Sequence, residues 1–454
     1  MRSSLELLRA ESRARWFFAT LVQSSIGSGA GYVALLLIAY ERFRSPWAVS
    51  LVLIADLVPA MLLGPVFGAV ADRFSRRACC VVADLSRGAA FIGIALAPNF
   101  ETTLVFAVFA GVGTALFNPA ALASLPALVS EPRLPAATSL FGAVADLGFT
   151  VGPAVAAGAF LLLGPETLLI GNAVTFFVSA GVLARLSLAI ARTDSPKAGA
   201  GSLVSDTRDG VRALRHLPVV RAVLAASGAG LMFAALFNAA ELPFVTTELG
   251  AGGAVFSLLV AVFGTGFIAG SLAGARGGAY EELRRRYLLG LLLMAAGLLA
   301  AGSSGGLPLA GAAFAVAGFG NGLMLVYERL LMQRLVPDRM MGRLYGIKDA
   351  ITAWAFALGF LTAGGLLSTL GVRTTILAAG AASFVAFLAA AFALRERAPA
   401  GEALGDSPSP VYEGALGEHG PHPLDGGKLG LLLLEDFGED GDDGRIKLGP
   451  RVRG

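Results

Sequence analysis

Charge is scarce in this sequence. Only 15% of its 454 residues are Asp, Glu, Lys or Arg, against about 25% in an ordinary soluble domain. That shortage excludes a soluble enzyme and a chain disordered throughout. Cysteine is nearly absent. Cys79 and Cys80 are adjacent, so they supply neither a disulfide framework nor metal-ligand spacing, and they read as small apolar filler in a helix. The three histidines, His216, His419 and His422, read as surface residues. No nucleophile, metal cluster or phosphate loop stands out, so the chain is expected to be no enzyme and to need no cofactor or metal. The first residues, MRSSLELLRAESRARW, are basic but lack a short apolar core followed by a cleavage site, and so do not read as a secretory signal.

Apolar residues dominate instead. They make up 56% of the chain, with 59 glycines and 29 phenylalanines, and the mean hydropathy is +0.72. A membrane-spanning helix needs about 20 mainly apolar residues. Cutting at charges, prolines and Gly/Ser clusters predicts twelve spans. They lie near residues 16–40, 47–71, 78–96, 103–123, 139–163, 168–190, 219–245, 254–275, 287–302, 307–332, 346–368 and 372–394. Helices are required because an open strand cannot satisfy its backbone in lipid. A barrel is excluded because its strands alternate apolar and polar residues.

The loops assign an orientation. With the N-terminus in the cytoplasm, roughly 24 cations fall on that side and three, Arg42, Arg44 and Arg373, on the other. The positive-inside rule therefore places both termini in the cytoplasm. The net charge of +3 hides about +9 in the body against about −6 in the segment after residue 397. The excess is sorted by membrane side and does not imply nucleic acid. The expected organisation is a six-helix bundle over 1–190, a linker over 191–218, a second bundle over 219–397 and a disordered acidic tail over 398–454. The linker's second part, from Asp206, reads as a basic amphipathic helix on the membrane surface.

Two motifs carry more than composition. Between the second and third spans stands GPVFGAVADRFSRR, Gly64 to Arg77. It resembles the signature loop of the major facilitator superfamily, G-x-L-A-D-R-x-G-R-[RK]. Gly68, Asp72, Arg73, Arg76 and Arg77 match, and Ser75 replaces the second glycine, which stiffens the turn. The resemblance implies that Asp72 and Arg73 latch onto the start of helix 11, near Gly346–Asp349. The fifth span holds GFTVGPAVAAG, Gly148 to Gly158. It resembles the superfamily's antiporter motif at Gly148, Gly152 and Pro153, with Ala156 and Ala157 in place of its last glycines. Generic small-residue packing explains the same pattern. MQRLVPDRMMGRLYG, Met332 to Gly346, is similar to a Q-x-x-V-P-x-x-x-x-G-R loop of the enterobactin-exporter-like and macrolide-efflux-like branch. Gln333, Pro337, Gly342 and Arg343 match.

Charges inside spans complete the candidates. An acid at mid-helix costs about 2.5–3.5 kcal/mol on insertion scales, so it tends to face a cavity or a partner. Asp84 and Arg87, three apart, share a helix face and read as an internal ion pair. Glu241, Glu328 and Arg329 lie nearer span ends. Asp56 and Asp146 interrupt long apolar runs and are the proton-coupling candidates. The competing role is binding of a cationic substrate without carrying a proton. Gln23, Asn118, Phe233, Asn238, Tyr327 and Trp354 are further cavity candidates, each equally explained by helix bridging or lipid contact. The resemblance as a whole implies an all-α membrane protein of twelve transmembrane helices in two pseudo-symmetric bundles. It implies a monomer in a bacterial cytoplasmic membrane that exports small amphipathic compounds in exchange for protons. A siderophore exporter, a lysophospholipid mover and a non-transporting sensor or scaffold remain as alternatives.

Overall fold

The computed structural model describes residues 2–186, 212, 214–215, 217–274, 278–336 and 338–395; within these, side chains are not described at 2–5, 46, 65, 72, 338–339 and 342–343. The expected linker and acidic tail lie outside the described residues except at a few positions. Among the described residues, eleven helices are long and apolar enough to cross a membrane, joined by a shorter apolar helix at residues 47–62. A short helix α1 (Arg2–Ala10) precedes them, its Leu7 fully buried.

The first half contains α2 (Ser12–Phe43), α3 (Pro46–Leu62), α4 (Gly64–Arg73), α5 (Arg76–Leu96), α6 (Phe100–Leu128), α7 (Leu134–Ala159) and α8 (Pro165–Arg185). The second contains α9 (Pro218–Pro243), α10 (Gly253–Ala273), α11 (Tyr280–Ser303), α12 (Leu307–Leu335), α13 (Asp338–Leu370) and α14 (Val372–Ala393). The expected second span, 47–71, is divided into α3 and α4 at Leu63. The chain bends at Leu63, and Pro65 stands in the first turn of α4, where a missing N–H costs no helical bond. The ninth span, expected at 287–302, starts seven residues earlier. Glu281 and Glu282 lie in its first turn, where acids suit the helix dipole, and they pair with Arg284 and Arg286.

Packing repeats between the halves. In the first, α5 packs on α6 and α8, and α2 on α7 and α8; in the second, α11 packs on α12 and α14, and α9 on α13 and α14. Between the halves α3 meets α13, and α7 meets α10. These two contacts exchange under the pseudo-twofold relation. Gly371, at φ +79°, makes the tight turn from α13 to α14 in a conformation that favours glycine.

The buried residues show where the halves join. One apolar core runs through both halves at the face remote from the first residues. It takes in Val33–Ile38, Val49–Leu53, Ala235–Val245 and Phe360–Leu367. At the face carrying α1, the core is instead two separate clusters. One belongs to the first half (Phe17, Cys80, Phe117, Leu183) and one to the second (Val223, Tyr287, Tyr327, Leu394). Contacts between halves follow the same division. A methyl at Gly253 would sit 2.9 Å from Leu37, and one at Gly364 would sit 2.5 Å from Trp47. The halves are therefore fused at the far face and parted at the near face. Leu161, Leu162, Leu272, Val385 and Phe392 are exposed, as lipid-facing side chains must be.

The far face also accounts for two of the three cations on the sparse side of the charge count. Arg42 donates to the carbonyls of Ala97 (2.9 Å) and Ala95 (3.3 Å) at the end of α5 and pairs with Glu166 at 3.1 Å. Arg373 donates to Gly302 (3.0 Å) and Ser304 (2.8 Å) at the end of α11 and pairs with Glu248 at 3.0 Å. The two clasps are pseudo-symmetric, but arginine and glutamate have exchanged helices. Each arginine satisfies carbonyls that a helix end leaves free.

Candidate functional site

The candidate site is a cavity of about 240 Å³ at mid-height in the first half, where the fused core gives way to the separate ones. α2 contributes Ser25, Ser28, Gly29 and Tyr32, spaced on one helical face. α3 contributes Asp56. α5 and α6 contribute Arg87, Phe117 and Asn118, and α7 and α8 contribute Phe149 and Phe176. Asp56 is held there by close backbone approach, since a methyl at Gly111 of α6 would lie 2.2 Å from the Asp56 carbonyl. Among the described residues, no side chain hydrogen-bonds or ion-pairs with Asp56. Arg87 lies within its electrostatic reach.

Arg87 is fixed more firmly. It pairs with Asp84, which is fully buried, and its guanidinium lies 4.2 Å above the Phe117 ring and 4.3 Å above the Phe176 ring. Two desolvated cation–π contacts contribute about 1–4 kcal/mol together. Phe91 stacks on Phe176 at 5.8 Å and Tyr32 meets Phe149 edge-on at 6.4 Å. The cavity thus presents aromatic surface, serine hydroxyls and one carboxylate that, among the described residues, makes no ion pair or hydrogen bond, while the nearby Arg87 is engaged by Asp84. Such a space accepts an apolar body with a positively charged group.

The sequence model of one protein family, described as transmembrane secretion effector, matches residues 3–419. The chain belongs to that family, within the major facilitator superfamily. It is 28% identical over 379 residues to the multidrug efflux pump Tap of Mycobacterium tuberculosis, covering 80% of this chain and 88% of that one. It is 24% identical over 375 residues to macrolide efflux protein A of Streptococcus pyogenes, covering 79% and 90%. The fold resembles the crystal structure of a bacterial homologue of the human lysosomal transporter Spinster, inward-facing and occupied. That match has a TM-score of 0.65 and 14% identity, covering 84% of this chain and 96% of that one. The chain is therefore a multi-pass membrane transporter of an efflux-related family.

The family motifs take these positions. Gly148 and Gly152 of α7 pack on α2. A methyl at Gly148 would lie 2.6 Å from the Ser25 carbonyl, and one at Gly152 would lie 2.6 Å from the Gly29 Cα. Pro153 is buried beside them. Gly68 faces Pro119 of α6, and Asp72 lies in the last turn of α4. Arg73 and Arg77 are exposed, and Arg76 donates to the Ala123 carbonyl at 2.6 Å. Ser75 accepts from the Ala78 amide at the start of α5, so the residue in glycine's place is a helix cap. The expected contact of this loop with residues 346–349 is not made by Arg73, and the space beside Gly346 is open. Gln333 is exposed at the end of α12, while Pro337 lies outside the described residues. Gly342 and Arg343, expected in a loop, lie in the second turn of α13, which starts at Asp338 rather than near 346.

The remaining candidates are dispersed. Asp146 is exposed on α7, with Arg329 of α12, also exposed, within its electrostatic reach. Glu241 is buried near Tyr32. Phe233 and Asn238 are half-buried on α9, and Phe233 packs on the fused core. Gln23 faces a separate apolar groove between α2, α7 and α8. Tyr327 is fully buried and accepts from Arg286 at 2.7 Å. Trp354 is exposed. Glu328 is buried 3.8 Å from Lys348. Outside the membrane-spanning segments, Glu11 accepts from Arg133 at 2.8 Å and from the Ser130 amide at 3.4 Å. The Arg133 bond holds its carboxyl below the usual glutamate range.

Proposed function

We propose that the protein exports small amphipathic compounds bearing a positive charge, in exchange for protons, by alternating access. The observation that carries this reading is the cavity in which Asp56, making no ion pair or hydrogen bond among the described residues, sits among aromatic faces. An Asp56 carboxylate binds either a proton or a cationic headgroup, and that competition is the chemistry of exchange. The charge asymmetry of the loops supports cytoplasmic termini. With that orientation the parted near face is the cytoplasmic one, and the cavity is in position to load from inside. Rocking the halves about α3–α13 and α7–α10 re-exposes it outside. Asp146 and Arg329, exposed on opposite halves, draw together as the inner face closes. The protein works as a monomer, since each chain holds the whole cavity.

The test is binding of tetraphenylphosphonium to the purified protein in nanodiscs. Asp56→Asn is expected to weaken it about tenfold, the effect of ~1.4 kcal/mol. Unchanged affinity in Asp56→Asn contradicts the assignment.

A further inference from the structure

The second half holds an ionisable pair that the cavity does not use. Glu328 of α12 is wholly buried, and neither carboxylate oxygen has a hydrogen-bond partner among the described residues. Lys348 of α13, about a quarter exposed, places its Nζ 3.8 Å from Oε1. That is too long for a hydrogen bond but well within Coulomb range.

The other groups facing Glu328 come from every helix around it. α9 offers Ser227 and α11 offers Tyr287, whose hydroxyls lie 2.8 Å apart. Either hydroxyl can donate to the other, Tyr287 also reaches the Val223 carbonyl at 3.1 Å, and Ser227 stands beside Glu328. α13 adds Tyr345 and Asp349 beside Lys348, and α12 itself adds Arg329. α10 has no titratable side chain along its length.

A buried carboxylate without donors is costly unless it carries a proton or holds a cation. Both remedies are available here, and they exclude each other. The cation is mounted on α13, one of the two helices by which the second half grips the first. A change in the hold on Lys348 is therefore felt at the contact between halves.

We propose that Glu328 and Lys348 form a proton-operated switch on the inter-half contact. Ionised Glu328 ties α13 to α12 through Lys348; protonated Glu328 releases the ammonium and frees α13 to change its angle against α3. The switch rests on the alternating-access reading above, and it places a second proton-sensing group in the half opposite Asp56.

The test is a distance measurement on the full chain in nanodiscs. Spin labels are placed at Ala78→Cys and Arg285→Cys, one in each half near the parted face, with Cys79→Ala and Cys80→Ala removing the native thiols. Distances are recorded by electron–electron double resonance from about pH 5 to about pH 9, with and without tetraphenylphosphonium. The parent protein is expected to shift its distribution with pH. Glu328→Gln is expected to hold the acid-end distribution at every pH. Lys348→Met is expected to hold the same released distribution at every pH, because an ionised Glu328 then has no ammonium on α13 to hold. A Glu328→Gln or Lys348→Met protein that keeps the parental pH response overturns the switch. A parent protein that responds to tetraphenylphosphonium but not to pH also overturns it, while leaving transport standing. A distribution frozen under both conditions contradicts alternating access itself, and the switch with it.

Discussion

Glu241 aside, three carboxylates at depth in the bundle meet three environments, and the differences separate their roles. Asp84 is buried against Arg87, Asp56 faces a cavity without a counterion, and Glu328 is buried beside an ammonium it does not touch. Removing one partner of a buried pair strands the other charge, at about 3–5 kcal/mol. Asp84→Ala is therefore expected to lower the thermal midpoint of the purified protein sharply, whereas Asp56→Asn leaves it unchanged and impairs ligand binding. Equal midpoints for the two variants contradict this division. At the near face, the depressed Glu11 carboxyl makes α1's anchorage pH-dependent. A group lowered in the folded state contributes stability that is present at neutral pH and lost as pH falls through its folded value. Hydrogen exchange in α1 is expected to rise at acid pH and, in Glu11→Gln, to be high already at neutral pH. The pair Asp84–Arg87 was legible in the sequence because three-residue spacing on a helix sets a shared face. The aromatic wall around Asp56 was not. α2 is apolar nearly all round, so periodicity could not say that Ser25, Ser28, Gly29 and Tyr32 face inward together.

Helices in this protein are positioned by where side chains are missing. Gly148 and Gly152 were visible as a motif, but their partner Gly29 was visible only once α2 and α7 were placed side by side. A methyl at Gly29 would lie 2.1 Å from the Gly148 carbonyl, whereas one at Gly158 meets nothing within 4 Å. Gly29→Ala is expected to cost about 1–3 kcal/mol through overpacking, and Gly158→Ala close to nothing. Thermal unfolding of both variants checks this, and equal midpoints contradict the tight α2–α7 contact. Element boundaries erred where charge lies next to lipid. The cut at charged residues shortened α11 and α13; at α11, paired ions at the helix start continue a helix that hydropathy alone terminates, and α13 begins at Asp338. The division of α3 from α4 at Leu63, just before Gly64–Pro65, was missed because the apolar run continues across it.

For the whole molecule, apolar length was enough to expect twelve spans, and the described residues hold eleven full-length helices and one shorter apolar helix. The conformation was not readable. It lies in how the buried cores connect, fused at one face and separate at the other, and that depends on contacts between residues two hundred positions apart, such as Leu37 with Gly253. A structure open at the face bearing α1, with its unpaired carboxylate at mid-height, is the loading state of an exporter if that face is cytoplasmic. Both the sidedness and the exchange are tested by one measurement. Everted membrane vesicles containing the protein, their lumen acidified by respiration, are given tetraphenylphosphonium from outside while lumenal pH is followed. The account predicts that adding the cation makes protons leave the lumen, that the cation accumulates inside, and that Asp56→Asn abolishes both. Accumulation without proton movement, or no response in vesicles shown to contain folded protein, contradicts proton-driven export through this cavity.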